Sequence, residues 1–391
     1  MVADRRTLPF LQVAALACAP AVGLGITRFA YALLLPDMRR ELEWSFAAAG
    51  WLNTSNAIGY LLGALLAAPV IGHYGARRTA LWGTFACIAS LILCALVRDE
   101  VALNLARLLG GTGAGFAYVA AALVATRIAA SNSQSEALLI VVLYMGPGLG
   151  IVLSGLSVPA VLASAGASGW PLGWAILAGL CVPLAIALAS GLRDEDHASA
   201  RSGQSLLLAP MAPMLVGYGL FGAGYIAYMT FMIAFVRDSG GSLVEQAGFW
   251  VMLGLAAMVS PLAWSAVMRN SRGGRAFAAI GFAATLGASL PLLSPSRPLL
   301  LTSALLFGGS FFAVVASTTS FVRQNLSPVH WTAAIATMTV AFGVGQILGP
   351  VLSGYATDLT GSLISGLALS AALLLSGVLF GLFQPDLRQP G

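Results

Sequence analysis

Long apolar stretches, each of about twenty residues or more, follow one another along almost the whole chain. An α-helix needs about 20 apolar residues to cross the hydrocarbon core of a bilayer. Of the 391 residues, 59% are hydrophobic and only 8% are charged, whereas soluble domains carry about 25% charged residues. A surface with so few charges cannot face water on all sides, so we predict an all-α integral membrane protein.

Twelve such stretches can be placed, with short polar segments between them. The longest polar segment, Arg193 to Ser205, lies near the middle of the chain. It predicts a cytoplasmic linker at residues 192–209 between an N-terminal six-helix bundle, 1–191, and a C-terminal six-helix bundle, 210–391. The predicted spans lie near residues 10–35, 45–70, 79–97, 101–128, 137–163, 172–191, 210–236, 247–268, 276–294, 299–322, 332–357 and 362–383.

Arginine supplies all nineteen basic residues, and its distribution over the loops indicates an orientation. With the N-terminus in the cytoplasm, twelve arginines fall on the cytoplasmic side and five on the outer side. Cytoplasmic loops carry the excess of basic residues in membrane proteins, so we expect both termini to be cytoplasmic. The arginines are scattered between apolar runs, which argues against a nucleic-acid partner.

The chain lacks the residue patterns of common intramembrane or ATP-driven chemistry. It contains no HExxH, no GxSxG and no phosphate-binding P-loop sequence, and its three histidines fall in polar segments. Its four cysteines stand singly in apolar runs, as is typical of small buried hydrophobic side chains. We therefore expect neither an enzyme nor a primary pump, and neither a metal site nor a cofactor.

Short sequence matches recur between the two halves at offsets of 197 to 203 residues. Arg28-Phe29-Ala30-Tyr31 in span 1 matches Tyr225-Ile226-Ala227-Tyr228 in span 7, and Gly146-Pro147 in span 5 matches Gly349-Pro350 in span 11. Two further matches, after span 2 and in span 4, fall in the same order. Four ordered matches indicate that six spans are duplicated, which leaves both halves in the same membrane orientation.

Two parallel six-helix halves joined by a cytoplasmic linker resemble the major facilitator superfamily (MFS) over essentially the whole chain. The loop after span 2, Gly72-His73-Tyr74-Gly75-Ala76-Arg77-Arg78, is similar to the loop signature of the superfamily, although glycine replaces its acidic residue. Arg107 in span 4 and Gly146-Pro147 in span 5 are similar to two further superfamily motifs. The segments GITRFAYALLLP, NTSNAIGYLLGAL and FGAGYIAYMTF resemble the YbfB/YjiJ-type branch.

This resemblance implies twelve transmembrane helices in two six-helix pseudo-repeats, the major facilitator fold, in the lipid bilayer of the cell inner membrane. It also implies a monomer that moves a small-molecule substrate by alternating access. Such motion needs helices that pack closely or bend, which glycine and proline allow. We assign this gating role to the loop signature and to the glycines and prolines of spans 4, 5 and 11: Gly75, Arg77, Arg78, Gly111, Gly115, Gly146, Pro147, Gly150, Gly349 and Pro350.

Charge deep inside the predicted spans is confined to two arginines, Arg28 in span 1 and Arg107 in span 4. Each lies seven residues from the outer end of its span, so we expect both at a similar depth. A buried arginine costs at least about 2.5 kcal/mol unless something compensates it. Helix carbonyls, Tyr31, or Asn53 and Asn56 on one face of span 2 could do so. Alternatively the substrate brings the anion. We expect Arg28 to contact the substrate. We expect Arg107 either to contact the substrate as well or to have a structural or coupling role.

Span 7 supplies an aromatic face in the other half. Tyr225 occupies the repeat position of Arg28, Tyr228 occupies that of Tyr31, and Phe221 falls one turn before Tyr225. Such rings would contact the organic part of a ligand. We therefore count all three span 7 residues as substrate-binding candidates.

Acidic residues near the spans, Asp37, Glu136 and Asp358, fall at span ends, and we expect them to be solvated.

The sequence thus predicts a secondary active or facilitative transporter of a small organic anion, with its coupling left open. The alternative is an exporter of amphipathic drugs or metabolites, because bulky ligands suit aromatic walls. A third possibility is a receptor or scaffold that does not transport.

Overall fold

The computed structural model describes residues 8–132, 135–192 and 209–387. Within these residues, twelve helices are long and apolar enough to cross a membrane, which confirms the twelve predicted spans. The predicted linker at 192–209, apart from its two end residues, lies outside the described residues. The helices are α1 Leu8–Glu41, α2 Phe46–Tyr74, α3 Ala76–Leu96, α4 Glu100–Ala130, α5 Glu136–Ala165, α6 Trp170–Gly191, α7 Ala209–Asp238, α8 Leu243–Asn270, α9 Arg275–Leu293, α10 Arg297–Asn325, α11 Pro328–Thr360 and α12 Leu363–Leu382.

Helix ends follow from capping and turn residues in the sequence. Asp99 accepts a hydrogen bond from a backbone N–H in the first turn of α4, and Ser242 forms a reciprocal capping box with Glu245 at the start of α8. These contacts satisfy N–H groups that have no partner within the helix. Gly75 and Gly361 follow α2 and α11 with φ of 83° and 69°, a backbone conformation that favours glycine.

The first helix is longer and less regular than predicted. It continues through Pro36 to Glu41 instead of ending near residue 35, and its middle part, Ala21–Phe29, is a π-helix. Transmembrane helices tolerate proline because neighbouring groups satisfy the freed backbone. The expectation that Asp37 is solvated is wrong, because the helix extends past it and its side chain is only 2% exposed.

Contacts divide the chain into two units, Met1–Leu42 with Ser55–Ala200 and Glu43–Thr54 with Arg201–Gly391. In the first unit, α3 packs against α4 and α6, and α5 packs against the π-helical part of α1. In the second, α9 packs against α10 and α12, and α11 packs against α7. These pairs correspond when six is added to each helix number, so the duplication seen in the sequence is also present in the packing.

The start of α2 belongs by its contacts to the second unit, although the sequence division places it in the first bundle. Both carboxylate oxygens of Asp358 in α11 accept hydrogen bonds from the backbone N–H groups of Phe46 and Ala47, at 2.8 Å each. A carboxylate at a helix N-terminus satisfies free donors and complements the helix dipole. Asp358 and Glu136 are both exposed, as expected.

Glycine allows neighbouring helices of the first unit to approach closely. A Cβ at Gly111 of α4 would collide with the main-chain oxygen of Asn56 in α2, and one at Gly115 would lie 2.8 Å from that of Tyr60. Gly59 of α2 faces the main chain of α4 in return. The close-packing role expected for the glycines of span 4 is therefore observed.

The glycines of the predicted motif in α5 and of its repeat in α11 pack in the same way. Gly146 faces the main-chain oxygen of Ala17 in α1, and Gly150 faces that of Ala21. In the second unit, Gly349 faces the main-chain oxygen of Ala223 in α7. Pro147 and Pro350 lie inside the α5 and α11 helices, next to these contacts.

We predict that Gly111→Ala destabilises the protein by about 1–3 kcal/mol, because the added methyl group meets backbone atoms that cannot move aside. Gly179→Ala in α6 is the matched control, since a Cβ there has no neighbour within 4 Å. The control is expected to be neutral or stabilising by up to about 1 kcal/mol. Thermal unfolding of the purified protein measures both, and equal melting temperatures would contradict this account of the α2–α4 contact.

Candidate substrate site

Arg28 lies in the π-helical part of α1 with its guanidinium buried and incompletely paired. Its side chain is 1% exposed. Nε and Nη2 have no hydrogen-bond partner within the part of the chain that the structure describes. The ring of Tyr60 provides partial compensation, with its centroid 5.3 Å from Cζ of Arg28. The end of α1 at Glu41 also places Arg28 farther from the helix end than the predicted seven residues.

Arg107, by contrast, is engaged by the main chain of α1. Its Nη1 donates to the carbonyl oxygen of Thr27, and its Nη2 donates to that of Arg28 at 3.3 Å. Its Cζ also lies 5.4 Å from the ring centroid of Tyr31 and 5.5 Å from that of Trp174. Helix carbonyls and aromatic rings thus compensate its charge, as one of the two sequence-based alternatives expects.

Tyr31 is part of this arrangement around Arg107. Its side chain is 1% exposed, and its ring stacks on Trp174 with centroids 6.3 Å apart and an interplanar angle of 11°. The two parallel rings present their faces to a cation, which is the geometry that cation–π attraction favours. Trp174 is a member of the cluster that sequence reasoning missed, because a tryptophan in an apolar span has no distinguishing pattern.

Asn53 and Asn56, three residues apart on α2, have different partners. Asn56 donates from Nδ2 to the main-chain oxygen of Arg107 at 3.1 Å and so connects α2 to α4 in the first unit. Asn53 donates to the hydroxyl oxygen of Thr230 in α7, in the second unit. Neither amide forms a hydrogen bond with Arg28 in the structure. The two residues lie on the same face of α2 but bond to different residues.

The second unit contains the predicted aromatic face of α7 in an extended stack. Phe221 and Tyr225 stack with centroids 5.7 Å apart, and Tyr225 also stacks on Phe311 at 5.8 Å and Phe342 at 5.3 Å. The phenol oxygen of Tyr225 accepts a hydrogen bond from Nε2 of Gln346 in α11. Gln346 was missed in the sequence, where its only signal is a single carboxamide in an apolar run.

Tyr228 is directed to a different neighbour. Its ring stacks on Phe307 with centroids 4.0 Å apart, and its hydroxyl lies 2.6 Å from Oγ of Ser303. Ser303 donates its only proton to the main-chain oxygen of Gly287, so Tyr228 has to be the donor to Ser303. The hydroxyl proton of Tyr228 is therefore used in the hydrogen bond to Ser303 of α10. The hydroxyl of Tyr225 instead accepts a hydrogen bond from Gln346.

The loop signature after α2 forms the turn into α3. Gly75 has positive φ, Arg77 is partly buried, and Arg78 is exposed. The structure thus places all three residues at one helix junction, well separated in the chain from Arg28. Their gating role stays a prediction.

We predict opposite effects on stability for the two buried arginines. Arg107→Met removes the donors that Arg107 supplies to the carbonyls of Thr27 and Arg28 and is expected to lower the free energy of unfolding by about 1–3 kcal/mol. Arg28→Met removes a buried charge whose Nε and Nη2 have no hydrogen-bond partner among the described residues, and it is expected to be neutral or stabilising in the ligand-free state. Thermal unfolding of the two variants beside wild type tests this. An equal loss in both variants would show that Arg28 is also structural.

Comparison with known proteins agrees with the fold and the resemblance. The profile of a family described as "Uncharacterised MFS-type transporter YbfB" matches residues 20–381. The chain is 24% identical over 364 residues to the inner membrane transport protein YdhP of Escherichia coli K12, covering 89% of this chain and 92% of that protein. It is 25% identical over 395 residues to the chloramphenicol resistance protein of Streptomyces lividans, covering 94% and 95% of the two chains.

Solved structures share the fold at lower identity. The nucleoside transporter NupG matches with a TM-score of 0.70 and 16% identity, covering 96% of this chain and 98% of that chain. A bacterial homologue of the human lysosomal transporter Spinster, inward-facing and unoccupied, matches with a TM-score of 0.66 and 14% identity, covering 98% and 95%. With the family profile matching nearly the whole sequence, the chain belongs to the YbfB family of MFS-type transporters and is a multi-pass inner membrane protein that carries small molecules.

Proposed function

We propose that this transporter carries a small organic anion and that Arg28 binds its anionic group. The observation that supports the proposal is the buried guanidinium of Arg28, which is 1% exposed with Nε and Nη2 lacking hydrogen-bond partners among the described residues. A planar guanidinium with unpaired N–H groups suits a carboxylate, sulfonate or similar anion, because it can donate two parallel hydrogen bonds.

The energetic balance favours a ligand over a purely structural role for Arg28. A buried charge costs several kcal/mol before compensation, and a desolvated cation–π contact such as that with Tyr60 offsets about 2 kcal/mol of this cost. The two Nη groups of Arg107 already donate to main-chain carbonyls. Among the described residues, Nε and Nη2 of Arg28 both lack a partner, whereas in Arg107 only Nε does, so Arg28 is the member of the predicted pair with the greater capacity for an anion.

We expect organic anions that are substrates to raise the melting temperature of wild type, because a ligand that binds only the folded state stabilises it. Arg28→Met removes a charge-assisted hydrogen-bond donor and is expected to weaken anion binding at least about tenfold. Thermal shift of the detergent-purified protein with carboxylates, sulfonates and amino acids measures this. Arg269→Met, at an exposed arginine, is the control and should bind anions as wild type does.

Transport of the anion nominated by that screen is then measured as uptake into proteoliposomes. Uptake by wild type and by Arg269→Met, with loss in Arg28→Met, is the expected result. Stabilisation of wild type and Arg28→Met by the same cationic or neutral compounds, with no response to anions, would contradict the anion proposal and move Arg28 to a structural role.

Export of amphipathic drugs or metabolites is the second candidate function. Two observations favour it: the stack of Phe221, Tyr225, Phe311 and Phe342, and the relative named a chloramphenicol resistance protein. Aromatic faces bind flat apolar ligands of many kinds. Chloramphenicol and cationic dyes therefore belong in the same thermal-shift screen, where a response that is independent of Arg28 supports this candidate.

We further propose that both termini are cytoplasmic, because the arginine count of the loops is twelve against five in that orientation and basic residues stay inside. A C-terminal fusion to alkaline phosphatase, which is active only outside the cytoplasm, is expected to be inactive. The same reporter placed between α1 and α2 is expected to be active. The reverse pattern would overturn the orientation.

A further inference from the structure

Two buried carboxamide oxygens in the second unit have no hydrogen-bond donor. Asn53 is 3% exposed and Gln346 is 2% exposed. Oδ1 of Asn53 and Oε1 of Gln346 have no partner among the residues that the structure describes. Buried acceptors are nearly always satisfied, because leaving one unpaired forfeits its hydration. Each of these oxygens can therefore accept a hydrogen bond from a donor that is not among the described residues.

The orientation of the Asn53 amide is fixed by its neighbour in α7. The Thr230 hydroxyl donates its single proton to the main-chain oxygen of Ile226 at 2.6 Å, so toward Asn53 its oxygen can only accept. It accepts from Nδ2 of Asn53. Turning the amide over would set two acceptors against each other, and the amide oxygen of Asn53 therefore points away from Thr230.

Gln346 is held beside Asn53 by contacts of the same three helices. Its Nε2 donates to the phenol oxygen of Tyr225 in α7. The hydroxyl of Thr54, the residue after Asn53, donates to the main-chain oxygen of Ile347, the residue after Gln346, at 2.7 Å. This hydrogen bond brings the two carboxamides to one junction of α2, α7 and α11, all within the second unit.

Charge and shape limit the group that this junction can accept. Buried charged side chains among the described residues are Arg28, Asp37 and Arg107, and all three belong to the first unit. The described residues of the second unit therefore supply no buried counter-ion for a full charge, which disfavours an ammonium group. The rings of Phe311 and Phe342 stack on Tyr225, and they suit a flat aromatic body.

The geometry points to a donor-recognising subsite in the second unit, where Asn53 and Gln346 accept hydrogen bonds from a neutral hydroxyl or amide N–H on an aromatic ligand. This inference rests on the proposed function, because it adds a requirement to the molecules that the transporter carries: a neutral donor on an aromatic ring. Donor recognition does not depend on Arg28, so neutral ligands can measure it separately.

The test compares methyl 4-hydroxybenzoate with methyl 4-methoxybenzoate, which differ in the presence of the phenolic donor. Isothermal titration calorimetry with the full-length protein in detergent gives both dissociation constants. Wild type is expected to bind the hydroxy ester about fivefold more tightly, the value of one net hydrogen bond. In the double variant Asn53→Leu/Gln346→Met this ratio is expected to fall below about twofold, because both acceptors are removed.

Gln246→Met is the matched control, because Gln246 is a buried glutamine of α8 whose Nε2 donates to the main-chain oxygen of Gly241. It should keep the wild-type ratio. Equal binding of the two esters by wild type, or binding of neither, overturns the subsite without any variant. An unchanged ratio in the double variant Asn53→Leu/Gln346→Met overturns it as well. Discrimination between the esters by a protein that no anion stabilises would uphold the subsite and refute the anion proposal.

Discussion

The hydrogen bonds from Arg107 to the main-chain carbonyls of Thr27 and Arg28 are the interaction on which the first unit depends. In hydrocarbon, every main-chain polar group has to be satisfied within the protein. The π-helical segment Ala21–Phe29 departs from the regular hydrogen-bond ladder of an α-helix, and Arg107 supplies donors at that point. Asn56 in turn donates to the main-chain oxygen of Arg107. Together these bonds fix α1, α2 and α4 at the turn that carries Arg28.

The same interaction explains why two arginines in similar apolar spans differ in how their charges are paired. The charge of Arg107 is compensated by carbonyl dipoles and by the rings of Tyr31 and Trp174. Arg28 contributes its carbonyl to that arrangement, while its own guanidinium has the ring of Tyr60 as compensation. An incompletely paired charge raises the free energy of the ligand-free state, and an anion that pairs with it lowers the free energy of the bound state. Local structure around one arginine thus accounts for the pairing of its own charge, and the unpaired donors of the other are what the anion proposal rests on.

Length and hydropathy were sufficient to predict the number and order of the helices, because each span must cover the same thickness of hydrocarbon. The end of α1 was misplaced because Pro36 normally indicates a helix boundary, whereas this helix continues through it. Gln346 was missed because its importance depends on Tyr225, which only the fold brings to it. The spacing of Asn53 and Asn56 was correct for one helix face, but spacing does not reveal that their amides bond to different helices.

Comparison of the two repeats distinguishes positions whose residue type is fixed by helix packing from positions whose residue type differs between the repeats. Gly146 faces the backbone of α1 and Gly349 faces the backbone of α7, because the same close approach of helices leaves no room for a Cβ in either unit. No such constraint holds Arg28 and its repeat partner Tyr225 to one residue type. One became a buried cation and the other a phenol bonded to Gln346. Duplication therefore preserved the distances between backbones while the chemistry of each unit diverged, which is why the sequence repeat locates the helices without identifying the substrate.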